Sequence, residues 1–225
     1  NALCVLDLEI EGVQEPVIVA SGADFYKSPM FAPDGRSVAW LEWNHPCMPW
    51  DSTLLKIAPF HEGRLDNSAI QHVAGSNSVA ISDYVFSPAG DLWFLMDIKG
   101  SAPDSAENFF NLYEWRNGAV RQITTEMREI SMLAQSDIRL VAMLHDRGMP
   151  GLAAIDVKTG ALSEIMTPFA TVTRPVLLAD RIATIGTPPD SPTQLALIAP
   201  GGAVEIIRQA AEADMHADDV SSARL

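Results

Sequence analysis

Five histidines, two cysteines and 29 carboxylates are the side chains with which this 225-residue chain could do chemistry. A histidine, a cysteine and an aspartate fall together in the proline-rich stretch His45-Pro46-Cys47-Met48-Pro49-Trp50-Asp51. A histidine with an aspartate close by can work as an acid/base pair. The same residues also suit a structural role. Two prolines stiffen the loop, Trp43 and Trp50 would pack on the strands beside it, and Asp51 would cap a turn. The structural role is the stronger expectation. If the loop has a function, lining a pocket suits it better than catalysis.

The other titratable groups offer less. His61, His72, His145 and His216 lie on separate segments without helical i, i+4 partners, so no metal site is expected and satisfied or solvent-facing rings are the default. Asp104 and Glu107 could hold a cation or a substrate amine, although a solvated loop is the simpler reading. Met127, Met132 and Met143 fall in strand-like segments and read as core filler. Cys4 and Cys47 are the only cysteines, too few for a disulfide framework and wrongly spaced for structural zinc. A reducing compartment, and so a cytoplasmic location, fits them best. No cofactor is implied.

Charge narrows the partners. Fifteen Lys and Arg against 29 Asp and Glu give a formal charge of −14, spread along the chain. That argues against nucleic acid and against an anionic membrane surface, both of which attract basic patches. No apolar run approaches the roughly 20 residues of a membrane span. The start Asn1-Ala2-Leu3 is neither a signal peptide nor a natural initiation site, so the chain is expected to be a processed or excised piece.

The elements that must position these residues are short apolar runs separated by Gly, Pro, Asp and Asn. They include Ala2–Leu8, Pro16–Ala20, Ser37–Trp43, Thr53–Phe60, Asp91–Ile98, Asn111–Trp115, Val120–Thr124 and Leu140–His145. Leu152–Val157, Leu162–Met166, Arg181–Ile185, Gln194–Ile198 and Ala203–Arg208 continue the series. Each has strand length, which reads as all-β. Gly118, Gly160 and Gly202 each join two such runs and recur about 42 residues apart, close to the roughly 40–45 residues of a four-stranded propeller blade. Gly63 and Gly12 extend the series upstream. A second marker is the Pro-Gly turn that ends the segments Ser28–Gly35 and Val85–Gly90 just before an apolar run.

The reading is therefore a partial β-propeller of about four and a half four-stranded antiparallel blades, with a β-sandwich as the blander alternative. Blades are expected near 24–73, 78–127, 129–169 and 171–211, with a half blade at 2–20. Residues 212–225 read as a polar tail or linker.

Residues Asp24-Phe25-Tyr26, Pro29, Pro33-Asp34-Gly35, Ala39-Trp40, Trp43, His45-Pro46 and Met48-Pro49-Trp50-Asp51 carry a resemblance. They resemble the propeller of S9 (prolyl oligopeptidase) family serine peptidases, in the acylaminoacyl-peptidase/dipeptidyl-peptidase-like branch. The match continues through Phe86-Ser87-Pro88 and Asn111-Leu112-Tyr113-Glu114-Trp115 and fades after about Thr125. The stretch Trp43–Asp51 is specific; the Pro-Gly turns also occur in TolB-like propellers. Cys47 stands where relatives commonly have Asn, Ala89 replaces the turn Asp, and Gly100–Asn108 lengthens a loop.

The resemblance implies a two-domain enzyme. In it the propeller limits access to an α/β-hydrolase domain whose Ser-Asp-His triad cleaves peptides. That domain needs a Gly-x-Ser-x-Gly elbow, and this chain contains none. No catalytic residue can be placed here; His45, Trp50 and Asp51 are the candidates for a gating or interdomain loop. The expected partners are that hydrolase domain and peptide substrates, and open blade edges would let the chain self-associate. The alternative is a free-standing TolB-like propeller that binds a protein or peptide.

Overall fold

The computed structural model describes residues 1–97, 110–124, 129–137, 139–146 and 148–212, and the expectations at Ile98, Gly100–Asn108, Asp104, Glu107, Met127, His216 and 213–225 lie outside them. The described chain is strand and turn, with one short 3-10 turn at Asn67–Ala69. Among the described residues no helix is long and apolar enough to cross a membrane.

Strands β1 (Ala2–Val5) and β2 (Val17–Ser21) form a two-stranded sheet. The next sheet contains β3 (Phe25–Phe31), β4 (Ser37–Trp43), β5 (Thr53–His61), β6 (Arg64–Leu65) and β7 (Gln71–Ser76). Strands β8 (Ile81–Phe86), β9 (Leu92–Asp97), β10 (Phe110–Arg116) and β11 (Ala119–Gln122) pair in chain order. So do β12 (Glu129–Gln135), β13 (Leu140–Asp146), β14 (Met149–Ile155) and β15 (Leu162–Ile165). The last sheet holds β16 (Thr171–Val172), β17 (Val176–Leu178), β18 (Arg181–Thr187), β19 (Gln194–Ile198) and β20 (Val204–Gln209). The sheets are antiparallel and, apart from β5 with β7 and β16 with β18, join chain neighbours, which is the blade pattern of a β-propeller.

Two sheets carry a fifth strand because a blade position is split. The outer edge of β5 is shared: β7 pairs with Thr53–Ile57 and the short β6 with Phe60 and His61. In the last sheet, β16 pairs with Gly186 and Thr187 while β17 pairs with residues 181–183 of β18. Pro175, which lacks an N–H, lies in the gap. Thr173 bridges it, donating its N–H to the Ile185 carbonyl at 2.9 Å and accepting from Thr184 Oγ1 at 3.1 Å.

The chain packs as two compact units, Asn1–Asn108 with Tyr113–Arg121, and Phe109–Leu112 with Gln122–Leu225. In the first unit, Leu41, Leu55, Ile81, Phe86, Leu92 and Phe94 form one core, all 2% exposed or less. Trp40, Ala58, Leu3 and Leu65 form a second, between the β1–β2 sheet and its neighbour. In the second unit, Val141, Leu152, Ile182, Ala196 and Ile198 are buried together. Each sheet thus buries apolar side chains against another sheet, the condition that makes a blade stable.

Two sequence expectations change. The run Ala2–Leu8 is a strand only to Val5. Beyond it Asp7 turns the chain, its carboxylate accepting the Glu9 N–H at 3.0 Å, and Leu8 is left 94% exposed. Met132 is not core filler: it sits at φ 49° in the bulge between Ser131 and Leu133, and the extra residue there turns its side chain outward, 39% exposed. Met143 is buried as expected.

Candidate interaction loop

The loop 44–52 joins β4 to β5, and both ends are tied by side chains. At the entry, Asp24 N–H donates to Asn44 Oδ1 at 2.8 Å, and the Asp24 carboxylate accepts the His45 N–H at 2.9 Å. The Asn1 side-chain amide donates to the Asp24 carbonyl. Phe25, the first residue of β3, stacks on Trp43 with ring centroids 5.2 Å apart and meets the His45 ring edge-on at 4.9 Å. The His45–Pro46 peptide bond is cis.

Two turns then fold the loop on itself. Cys47 N–H donates to the Asn44 carbonyl at 3.1 Å, and the N–H groups of Asp51 and Ser52 both reach the Met48 carbonyl, at 2.9 and 3.2 Å. The Asp51 carboxylate accepts the Met48 N–H at 3.1 Å, closing the second turn from its other side. At the exit, Ser52 Oγ donates to the Ser76 carbonyl at 2.9 Å. Thr53 Oγ1, on a fully buried residue, donates to the Ile81 carbonyl at 3.1 Å and accepts the Ile81 N–H, tying β5 to β8. The loop is pinned at its entry, along its length and at its exit.

Each candidate residue is therefore placed by different neighbours. His45 has its ring on Phe25, Asp51 serves the turn at Met48, and Trp50 stands 62% exposed. The expectation that Trp50 packs on the blade is corrected. Trp50 lies in the turn that the Met48 carbonyl and the Asp51 carboxylate close, while Trp43 does pack, against Phe25. Met48 is also exposed, at 45%. The result is a rigid loop that presents an indole and a thioether to solvent, a pairing suited to burial against another surface.

Asp24, Phe25 and Thr53 position the loop, and reasoning from the loop's own residues did not assign them those roles. Their signal was only positional: Asp24 and Phe25 open the strand that pairs with β4, and Thr53 is the first residue after the loop. The remaining described histidines are singly satisfied or exposed. His72 Nε2 lies 3.0 Å from the Ala74 carbonyl, His145 Nε2 lies 2.8 Å from Ser131 Oγ, and His61 is exposed. Among the described residues no three His, Cys, Asp or Glu side chains are grouped to hold a metal ion.

No family model matches the sequence, and no curated protein matches it. Solved structures do. The chain is similar to a puromycin-hydrolysing peptidase of Mycobacterium tuberculosis, at 24% identity and TM-score 0.75, over 88% of this chain and 32% of that one. It is similar to prolyl oligopeptidase B of Galerina marginata, at 12% identity and TM-score 0.72, over 97% of this chain and 31% of that one. It is also similar to TolB of Acinetobacter baumannii, at 17% identity and TM-score 0.63, over 87% of this chain and 46% of that one. The chain spans about a third of the length of the two peptidases. At these identities the likeness establishes the fold, a β-propeller.

Proposed function

We propose that this chain is the propeller portion of an S9-type serine peptidase of the acylaminoacyl-peptidase/dipeptidyl-peptidase-like branch. The observation that carries the reading is the loop His45–Asp51. Its rare sequence resembles that family's, and its pinned backbone exposes Trp50 and Met48 as a docking surface would. The likeness to two peptidases over this portion of their length supports it. In the parent, an α/β-hydrolase domain outside these residues supplies the chemistry. A His-activated Ser attacks the scissile carbonyl, and backbone amides stabilise the oxyanion. The propeller restricts entry to short peptides, the loop faces the hydrolase domain, and the reduced cysteines suit the cytoplasm.

The test is the intact mass of the native protein in its source cells, combined with labelling by a serine-directed fluorophosphonate. A labelled species far heavier than 24.4 kDa is expected. A native, unlabelled species at 24.4 kDa would overturn the peptidase reading and leave a free-standing binding propeller, the reading that the TolB likeness favours. In the labelled parent, Trp50→Ala should leave folding of the propeller unchanged and alter kcat/KM for peptides, because the side chain is exposed here and buried only on docking.

A further inference from the structure

The strongest unassigned surface lies where the β1–β2 connection meets the β5–β6 hairpin. A groove of about 530 Å³ opens there. Its floor is apolar: Leu6, Val17 and Phe31 line it, and the Phe31 and Phe60 rings meet edge-on at 5.0 Å. Leu8 and Ile10 stand on its wall, 94% and 56% exposed. The connection that carries them is held in shape by Gln14, whose side-chain amide donates to the carbonyls of Asp7 at 2.6 Å and Ile10 at 2.8 Å.

The rim is acidic. Asp7, Glu15 and Glu62 line the groove against a single Arg64. Glu9 and Glu11 lie in the same connection, and no Lys or Arg occurs in the chain before Lys27. Apolar surface of this kind, exposed and ringed by one sign of charge, marks an interaction site. It disfavours an anionic partner. It also disfavours a second copy of this chain, which would bring a second set of carboxylates into the contact.

We infer that the groove binds a cationic, apolar segment of another polypeptide, one that alternates Lys or Arg with aliphatic side chains. The aliphatic groups would cover Leu8, Ile10 and Phe31, and the ammonium or guanidinium groups would meet the carboxylate rim. Exposed pairs of this type are screened within a Debye length of about 8–10 Å, so the rim sets selectivity and the apolar floor supplies most of the hold.

The experiment is fluorescence anisotropy of this chain with a labelled decapeptide of alternating Lys and Leu, and with the Glu-Leu peptide as control. Saturable binding of the Lys-Leu peptide is expected, weakening about tenfold in 0.5 M salt. Leu8→Ser, at a position too exposed to disturb folding, and the double variant Glu15→Lys/Glu62→Lys should each weaken it about tenfold. Absence of binding, equal binding of the Glu-Leu peptide, or unchanged binding by both variants would overturn the inference. So would a dimer in sedimentation that Leu8→Ser dissolves, because a second copy would then be the occupant.

Discussion

Glu42 shows how single residues hold the blades. Its carboxylate, 8% exposed as a residue, accepts the Trp40 indole N–H at 2.8 Å and the Lys56 ammonium at 2.6 Å. The next blade repeats the device, with Glu114 between the Trp93 indole at 3.3 Å and Arg121 at 3.0 Å. Tyr84 makes a stronger tie. From β8 its buried hydroxyl donates to the Ala39 carbonyl at 2.6 Å and lies against the Ser28 carbonyl, joining two blades. Burial, and then the charge of Asp83, pushes its pKa up. An unfolded tyrosine ionises near pH 10, so this stabilisation is complete below about pH 10 and is lost as pH rises above it. Tyr84→Phe should cost about 1–3 kcal/mol in urea unfolding at pH 7. It should also flatten the decline in stability above pH about 10, leaving the smaller part due to Tyr113, whose pKa burial also raises.

At the scale of elements, one glycine series serves several turn geometries. Gly63, Gly118, Gly160 and Gly202 all sit between the third and fourth strands of their blades with φ between 75° and 84°. At Gly63 and Gly118 the preceding residue, Glu62 or Asn117, also has positive φ, as a two-residue hairpin turn requires. Gly202 instead donates its N–H to the Ala199 carbonyl three residues back, and Gly160 donates to the Asp156 carbonyl four back. Gly160 is distinct again: a Cβ there would fall well inside contact with the Ile123 carbonyl oxygen, whereas at Gly118 it would meet open space. Gly118→Ala should cost about 1–2 kcal/mol from its backbone conformation alone. Gly160→Ala should cost clearly more, measured by the same urea titration, because backbone must also move. The Pro-Gly turns compensate in a similar way. At Pro33–Gly35 the Asp34 carboxylate accepts the Arg36 N–H at 2.9 Å. Where Ala89 replaces that aspartate, the buried Ser87 hydroxyl accepts the Asp91 N–H at 3.0 Å.

At the scale of the whole molecule, some sheet faces leave large apolar side chains exposed. On one face of the last sheet Ile185 and Leu195 are direct cross-strand partners, 46% and 40% exposed, with Val176 and Leu178 beside them at 52% and 53%. Among the described residues the outer edges of β2 and β20 pair with no strand. Such faces and edges promote association, while a charge of −14 opposes it through repulsion that salt screens. Sedimentation at rising concentration should therefore show self-association that grows with ionic strength and that Ile185→Lys/Leu195→Lys suppresses. A monodisperse monomer at high concentration and high salt would count against it.

The repeat, the strand content and the hairpin glycines were legible in the sequence because they are local. A two-residue turn needs positive φ wherever it occurs, and an outer strand pair shows its alternation without help from the rest of the chain. The first strands of the blades were harder to read for the same kind of reason. Bulges at Lys27/Met30, Ile81/Asp83 and Ser131/Leu133 break the period-2 pattern, so 129–135 did not stand out as a strand. Within the candidate loop, residue types identified a stiff, rare segment but not its orientation. Whether Trp50 packs or projects depends on Asp24, Phe25 and Ser76, which lie about 20–26 residues away in the chain and meet the loop only through strand pairing. The acidic groove is likewise a product of tertiary structure. Phe31 and Phe60 come from a blade and Leu8 from the connection beside it, so only folding brings apolar floor and carboxylate rim together.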